Sequence, residues 1–250
     1  MTPLEREPVW LDAFIFRPTI GVSISANLRV LLKIRDVVIP AIEESFNWKK
    51  VSLPEKGPFE FITETEEDLV FHCRQDRILV SYQYQETFDQ APGGWRTVKP
   101  PEIKPFTELL PKVKQGIEKI CSVFPEKENV GLNFIGIVAE GILPTGQMPP
   151  GLTLFLDHLG KPWEGEMEEF QGSIRGVVEE KPKETDRCHH RITLDREKKP
   201  DEIRIAFDFQ RVFKEPGKLG PEPIRNKLDS IEEAFYAYIN RFGKGDLKYA

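Results

Sequence analysis

Cysteine is scarce in this chain: Cys73, Cys121 and Cys188 are the only three in 250 residues. A low and odd count argues against a small secreted scaffold stapled by disulfides and predicts reduced thiols in a cytosol. Long apolar runs are missing as well. The opening stretch MTPLEREPVW mixes charges of both signs and has no apolar segment of the kind a secretory signal needs. No run approaches the ~20 apolar residues that cross a bilayer. These absences predict a cytoplasmic protein without membrane contact. A basic excess is lacking too. The chain has 41 Asp and Glu against 35 Lys and Arg, a formal charge of −6. That balance argues against nucleic acid as a broad contact, because phosphates favour a basic footprint.

Short catalytic signatures are also absent. The chain contains no G-x-x-x-x-G-K-[ST] loop, no G-x-G-x-x-G after a strand, no G-x-S-x-G elbow and no CxxC or HExxH spacing. In GILPTGQMPPG, residues 141–151, prolines stand where a phosphate loop would need donating amides, so the stretch reads as a hairpin loop. No carboxylate pair stands out for general acid and base work, and EGEMEE (164–169) reads as a solvated acidic surface. The usual grounds for proposing an enzyme are therefore missing.

What remains is an ordinary globular composition: 39% hydrophobic, 30% charged, with 17 Phe to fill an interior. WLDAFIFRP reads as a buried strand, and SANLRVLLKIRDVVIPAIEESF as a helix broken or kinked at Pro40. DLVFHC and ILVSYQYQ flank a short polar turn and predict a β-hairpin, followed by APGGW as a loop. From Thr107 to Phe124, Leu110, Val113, Ile117, Ile120 and Cys121 fall at helical spacing, with Thr107 as N-cap. VGLNFIGIVAEG and GLTLFLDHLG read as strands, then GSIRGVVEEK, CHHRITLD and EIRIAFDFQRVF. A helix from about Ile224 to Phe242 closes the chain, with Ser230 and Glu233 at capping-box spacing and Gly243 as its C-terminal cap. Strands followed by an amphipathic helix, twice over, predict an α+β protein. It would consist of antiparallel β-meanders, each followed by a packed helix, in two similar halves. The halves are residues 1–128 and 129–250, as separate units or one continuous domain.

The stretches FTELLPKVKQGIEKI leading into VGLNFIGIV, and EIRIAFDFQRVF before LDSIEEAFYAYINRF, carry a likeness. In these the chain resembles a sporadically distributed family of uncharacterised prokaryotic proteins of about 250 residues. Members place a helix before a Gly-Leu-Arg-Tyr strand and end on an acidic-aromatic strand and an amphipathic helix. The likeness runs from about Phe61 to Phe242 as a pattern of elements. Asn133-Phe134 stands here where the family has Arg-Tyr. The resemblance implies the fold and brings no activity with it.

DRCHHRITLD, residues 186–195, holds two of the four His and one of the three Cys. If it is a strand, Cys188, His190, Ile192 and Leu194 share the inward face, and His189, Arg191, Thr193 and Asp195 the outward one. Adjacent His189 and His190 then cannot chelate one ion together. Cys188 and His190 can, and a strand over 152–158 would bring His158 to join them as a zinc shell completed by water. The plainer reading is two partly buried histidines satisfied by hydrogen bonds beside a core thiol. Trp95 in PGGW and Trp163 in KPWEGE lie in loop-like contexts and are candidate partner anchors, or caps folded back on a sheet. The leading expectation is a non-enzymatic interaction or accessory subunit that binds a protein partner through Trp95 and Trp163, without a cofactor. The alternatives are a metal-dependent enzyme built on Cys188, His190 and His158, and a small-ligand binder with a cavity between sheet and helix.

Overall fold

The structure is a computed structural model and describes residues 9–25, 39–52, 61–74, 76–84, 87–91, 94–99, 103–122, 130–160, 169–195 and 201–246. Alternation of apolar and polar residues builds most of it. In β1 (Ile15–Ser25), Phe16, Ile20, Val22 and Ile24 are buried on one side while Arg17 and Ser25 are exposed on the other. The same alternation shapes β4 (Leu69–Arg74) and β5 (Arg77–Tyr82), the expected hairpin. It continues in β8 (Gly131–Pro144), β10 (Glu184–Asp195) and β11 (Glu202–Lys218). With β2 (Trp48–Ser52), β3 (Phe61–Thr65) and β9 (Glu169–Glu180), these form one sheet in the order β2-β3-β4-β5-β1-β8-β11-β10-β9. Each neighbouring pair is antiparallel. A separate ribbon pairs β6 (Thr87–Ala91) with β7 (Gly94–Lys99).

The described helices are α1 (Ile39–Ser45), α2 (Phe106–Ser122), α3 (Pro150–Gly160) and α4 (Pro221–Lys244). In α2, Leu109, Leu110, Val113, Ile117, Ile120 and Cys121 are buried. Gly116 lets the helix come close to the sheet, since a Cβ there would stand 3.0 Å from Val80 and 3.4 Å from Phe71. Thr107 does not cap α2 with its own side chain. Asp12, in a short 3-10 helix over Trp10–Ala13, caps it from outside, accepting from the Thr107 amide and hydroxyl at 2.9 Å each. Helix α4 buries Ile224, Leu228, Ile231, Phe235, Ile239 and Phe242 on one stripe. It meets α2 through Phe106 and Phe235, 5.8 Å between ring centres, and through Lys114, which reaches Glu232 at 2.7 Å and also Asp229.

The mixed α+β class with an antiparallel sheet is as the sequence predicts. Several local expectations change. GLTLFLDHLG is helix α3, not a strand. Leu152, Leu154 and Leu156 mimic a strand, but Leu152 and Phe155 are the buried pair, at i and i+3, while Leu154 is 50% exposed. Pro150 at the helix start, where its missing N–H costs nothing, favours the same outcome. The last helix begins at Pro221, so Ser230 is interior to it, and its C-terminal left-handed residue is Gly245 (φ 78°) and not Gly243. Helix α1 is described over Ile39–Ser45, and 26–38, the rest of the helix expected to break at Pro40, lie outside the described residues.

Candidate functional site

The described α2 and α4 lie against one face of the sheet. The outcome of that layering for DRCHHRITLD is the expected split. Cys188, His190, Ile192 and Leu194 are buried inward, while Arg191 and Thr193 are exposed outward. His190 is 4% exposed and boxed by aromatic rings: Phe207 at 5.1 Å, Phe242 at 5.2 Å, Phe155 and Tyr238 at 5.7 Å between centres. The Tyr238 hydroxyl lies 2.6 Å from its Nε2. Burial keeps the ring neutral, bringing its pKa down from 6.5 to about 4, with the nearby His189 adding in the same direction. Tyr238 also hydrogen-bonds Cys188, whose thiol burial pushes well above its ordinary range. A thiol so held is a poor nucleophile, because attack needs the thiolate.

His158 falls on the exposed side of α3, one turn beyond Phe155, whose ring touches His190. The strand that was expected to carry it inward does not form. Among the described residues, no group of three or more His, Cys, Asp or Glu is arranged to hold a metal ion. Trp95 sits in β7, paired with Gln90 in the small ribbon, where a loop was expected. Trp163 lies outside the described residues.

The opposite face of the sheet holds a different arrangement. Thr19 and Gly21 on β1, Phe134, Gly136 and Val138 on β8, Leu79 on β5, and Asp208 and Gln210 on β11 border a groove of about 220 Å³. Its floor is a pair of glycines, since Gly21 lies opposite Gly136 in the β1–β8 register. The floor is partly enforced: a Cβ on Gly21 would stand 2.6 Å from Leu79 Cδ2. On one side of the groove, β4 and β5 present Arg74 and Arg77. On the other, β9 and β10 present Arg175 and Arg187 level with Asp208 and Gln210, while Arg191 and Arg204 lie further along the same face, level with Glu140 and Ile142. Two carboxylates of this face already have partners. Arg17 pairs with Glu140 at 3.2 Å, and Gln210 Nε2 donates to both oxygens of Asp208 at 3.0 and 2.9 Å. Arg175 reaches the Gln210 carbonyl oxygen at 3.1 Å. Among the described residues, the buried Nε groups of Arg77 and Arg187 have no hydrogen-bond partner.

No local sequence pattern assembles the groove. Its residues come from strands more than 50 positions apart in the chain (Gly21, Leu79, Gly136, Gln210), and no local spacing connects them. Comparison of the chain with protein-family models, curated proteins and solved structures finds no match. Among the described residues, no helix is long and apolar enough to cross a membrane.

Proposed function

We propose that this protein is a non-enzymatic interaction or accessory subunit that docks a protein partner on the face of its sheet opposite α2 and α4. One observation carries the reading: the glycine-floored groove at the middle of that face, rimmed by arginines, in a chain whose overall charge is −6. An antiparallel sheet can leave one face to solvent without loss of stability. A solvated face of this kind does not require a central depression with guanidinium groups on either side of it. Arginine is also the cation most enriched where proteins meet.

The two halves, residues 1–128 and 129–250, are on this reading similar units. In the first, the chain goes from the central β1 through α1 to the outer strand β2, and β3, β4 and β5 step back to pair with β1. In the second, it goes from the central β8 through α3 to the outer strand β9, and β10 and β11 step back to pair with β8. The groove then straddles the junction, with Gly21 from one half and Gly136 from the other. Trp95 and Trp163 are retained as candidate aromatic anchors for the partner.

The test is quantitative capture from a native lysate with the wild-type chain, an Arg175→Glu/Arg191→Glu/Arg204→Glu variant and a Trp95→Ala/Trp163→Ala variant. A stoichiometric protein that both variants lose, and that re-forms a complex with purified wild-type chain on size exclusion, is the expected result. A partner retained by the arginine variant would move the docking surface elsewhere. One retained only by the tryptophan variant would remove the two anchors and keep the face.

A further inference from the structure

We infer that the groove on the face opposite α2 and α4 binds an extended acidic polypeptide segment, with one apolar side chain on the Gly21–Gly136 floor and carboxylates reaching the arginines on both sides. This rests on the reading of that face as a docking surface and adds the chemistry of the partner.

Three features point to such a segment. The first is the rims. Guanidinium groups present donors in a fixed fork that matches a carboxylate, which a lysine ammonium does not. Arg77 and Arg187 each hold an Nε that no group of the described protein satisfies. Arg77 Nη2 is paired with its exposed neighbour Asp76 at 3.2 Å. The rest of the Arg77 side chain is open, at 43% exposure, so an incoming carboxylate can pair with the solvent edge of its guanidinium.

The second is the floor. Leu79, Phe134 and Val138 wall a depression whose base is the backbone of two glycines. An aliphatic side chain fits the shape and removes apolar surface from water, with a contribution of about 25 cal/mol per Å².

The third is the spacing. Arg77 on β5 and Arg187 on β10 lie four strand intervals apart, about 19 Å across the sheet at ~4.8 Å per interval. An extended chain covers that distance in about six residues. The expected segment therefore has acidic clusters about six residues apart with an apolar residue midway. A nucleic acid fits less well, since its charge repeats at every unit and would run over Asp208 at the edge of the groove.

The test uses the full-length protein and fluorescence anisotropy. The probe is a labelled peptide of about eleven residues, with three glutamates at each end, leucine at the centre and serine between. The comparison probes replace the leucine with glycine or the glutamates with lysine; a DNA duplex and inorganic polyphosphate serve as other anions. Expected are binding of the glutamate–leucine peptide and affinity about tenfold lower for its glycine counterpart, with no binding of the lysine peptide. Arg77→Gln/Arg187→Gln and Gly136→Val should each weaken binding by about tenfold or more while leaving the circular dichroism spectrum unchanged. A side chain at Gly136 is tolerated by the fold, since its Cβ would stand 3.5 Å from Gln210 Cγ. Equal binding by the glycine peptide, undiminished binding by Arg77→Gln/Arg187→Gln, or preference for DNA or polyphosphate would overturn the inference. So would failure of the peptide to bind while partner capture still depends on Arg175, Arg191 and Arg204; the docking reading would then survive. Loss of that dependence as well would remove both.

Discussion

The hydroxyl of Tyr238 on α4 stands 2.6 Å from Nε2 of His190 on β10, a polar contact inside a box of phenylalanine rings. A neutral imidazole with its proton on Nδ1 accepts from that hydroxyl, so the buried ring nitrogen is satisfied from the half-buried tyrosine. The contact joins the last helix to the sheet, and its energetics can be read by titration.

Acid should destabilise the fold through His190. Its pKa is about 4 in the folded chain against 6.5 for an ordinary histidine. Between those values the unfolded chain binds the proton and the folded one does not. Stability is thus complete above about pH 6.5 and falls as the pH drops toward 4, by about 3 kcal/mol at most. Denaturant midpoints at pH 7 and pH 4.5 check this, and His190→Phe should flatten the difference.

Tyr238→Phe should cost about 1–3 kcal/mol at neutral pH, because it leaves a buried imidazole nitrogen without its donor while preserving the ring's packing. Urea unfolding followed by circular dichroism measures it. A cost near zero would mean that His190 finds another partner.

Arg211 and Asp186, each 2% exposed, form a two-pronged pair at 2.7 Å for both contacts, and Arg211 also donates to Ser230 on α4. Asp186→Ala takes its two-pronged partner from a buried guanidinium, leaving Glu184 at 3.4 Å and Ser230, and should cost about 3 kcal/mol. The double variant Asp186→Leu/Arg211→Met removes both charges and should cost less than the single change. Melting temperatures of the two variants decide it.

Gly151 in α3 lies directly against the Phe242 carbonyl, which a Cβ at this position would overlap. Gly151→Ala should therefore push α3 off α4 and cost about 2 kcal/mol or more. Hydrogen exchange should show the loss first in α3, with the central strands β1 and β8 retaining protection.

Alternation along DRCHHRITLD was enough to send Cys188 and His190 inward and Arg191 outward, and helical spacing was enough to mark the buried stripes of α2 and α4. Both are local consequences of backbone geometry: a period near two or near 3.6 records which side of an element meets the core. Where the two periods coincide, the local record is ambiguous. Leu152, Leu154 and Leu156 alternate as in a strand, yet Leu152 and Phe155 also form a helical pair. Packing against α4 makes the segment a helix and leaves His158 exposed. The groove was not legible at all. The pairing of β1 with β8, the meeting of Gly21 with Gly136, and the arginines on both rims depend on strand order and register across more than a hundred residues. Those are settled by which apolar faces can be buried together, a property of the whole folded chain that no short stretch contains.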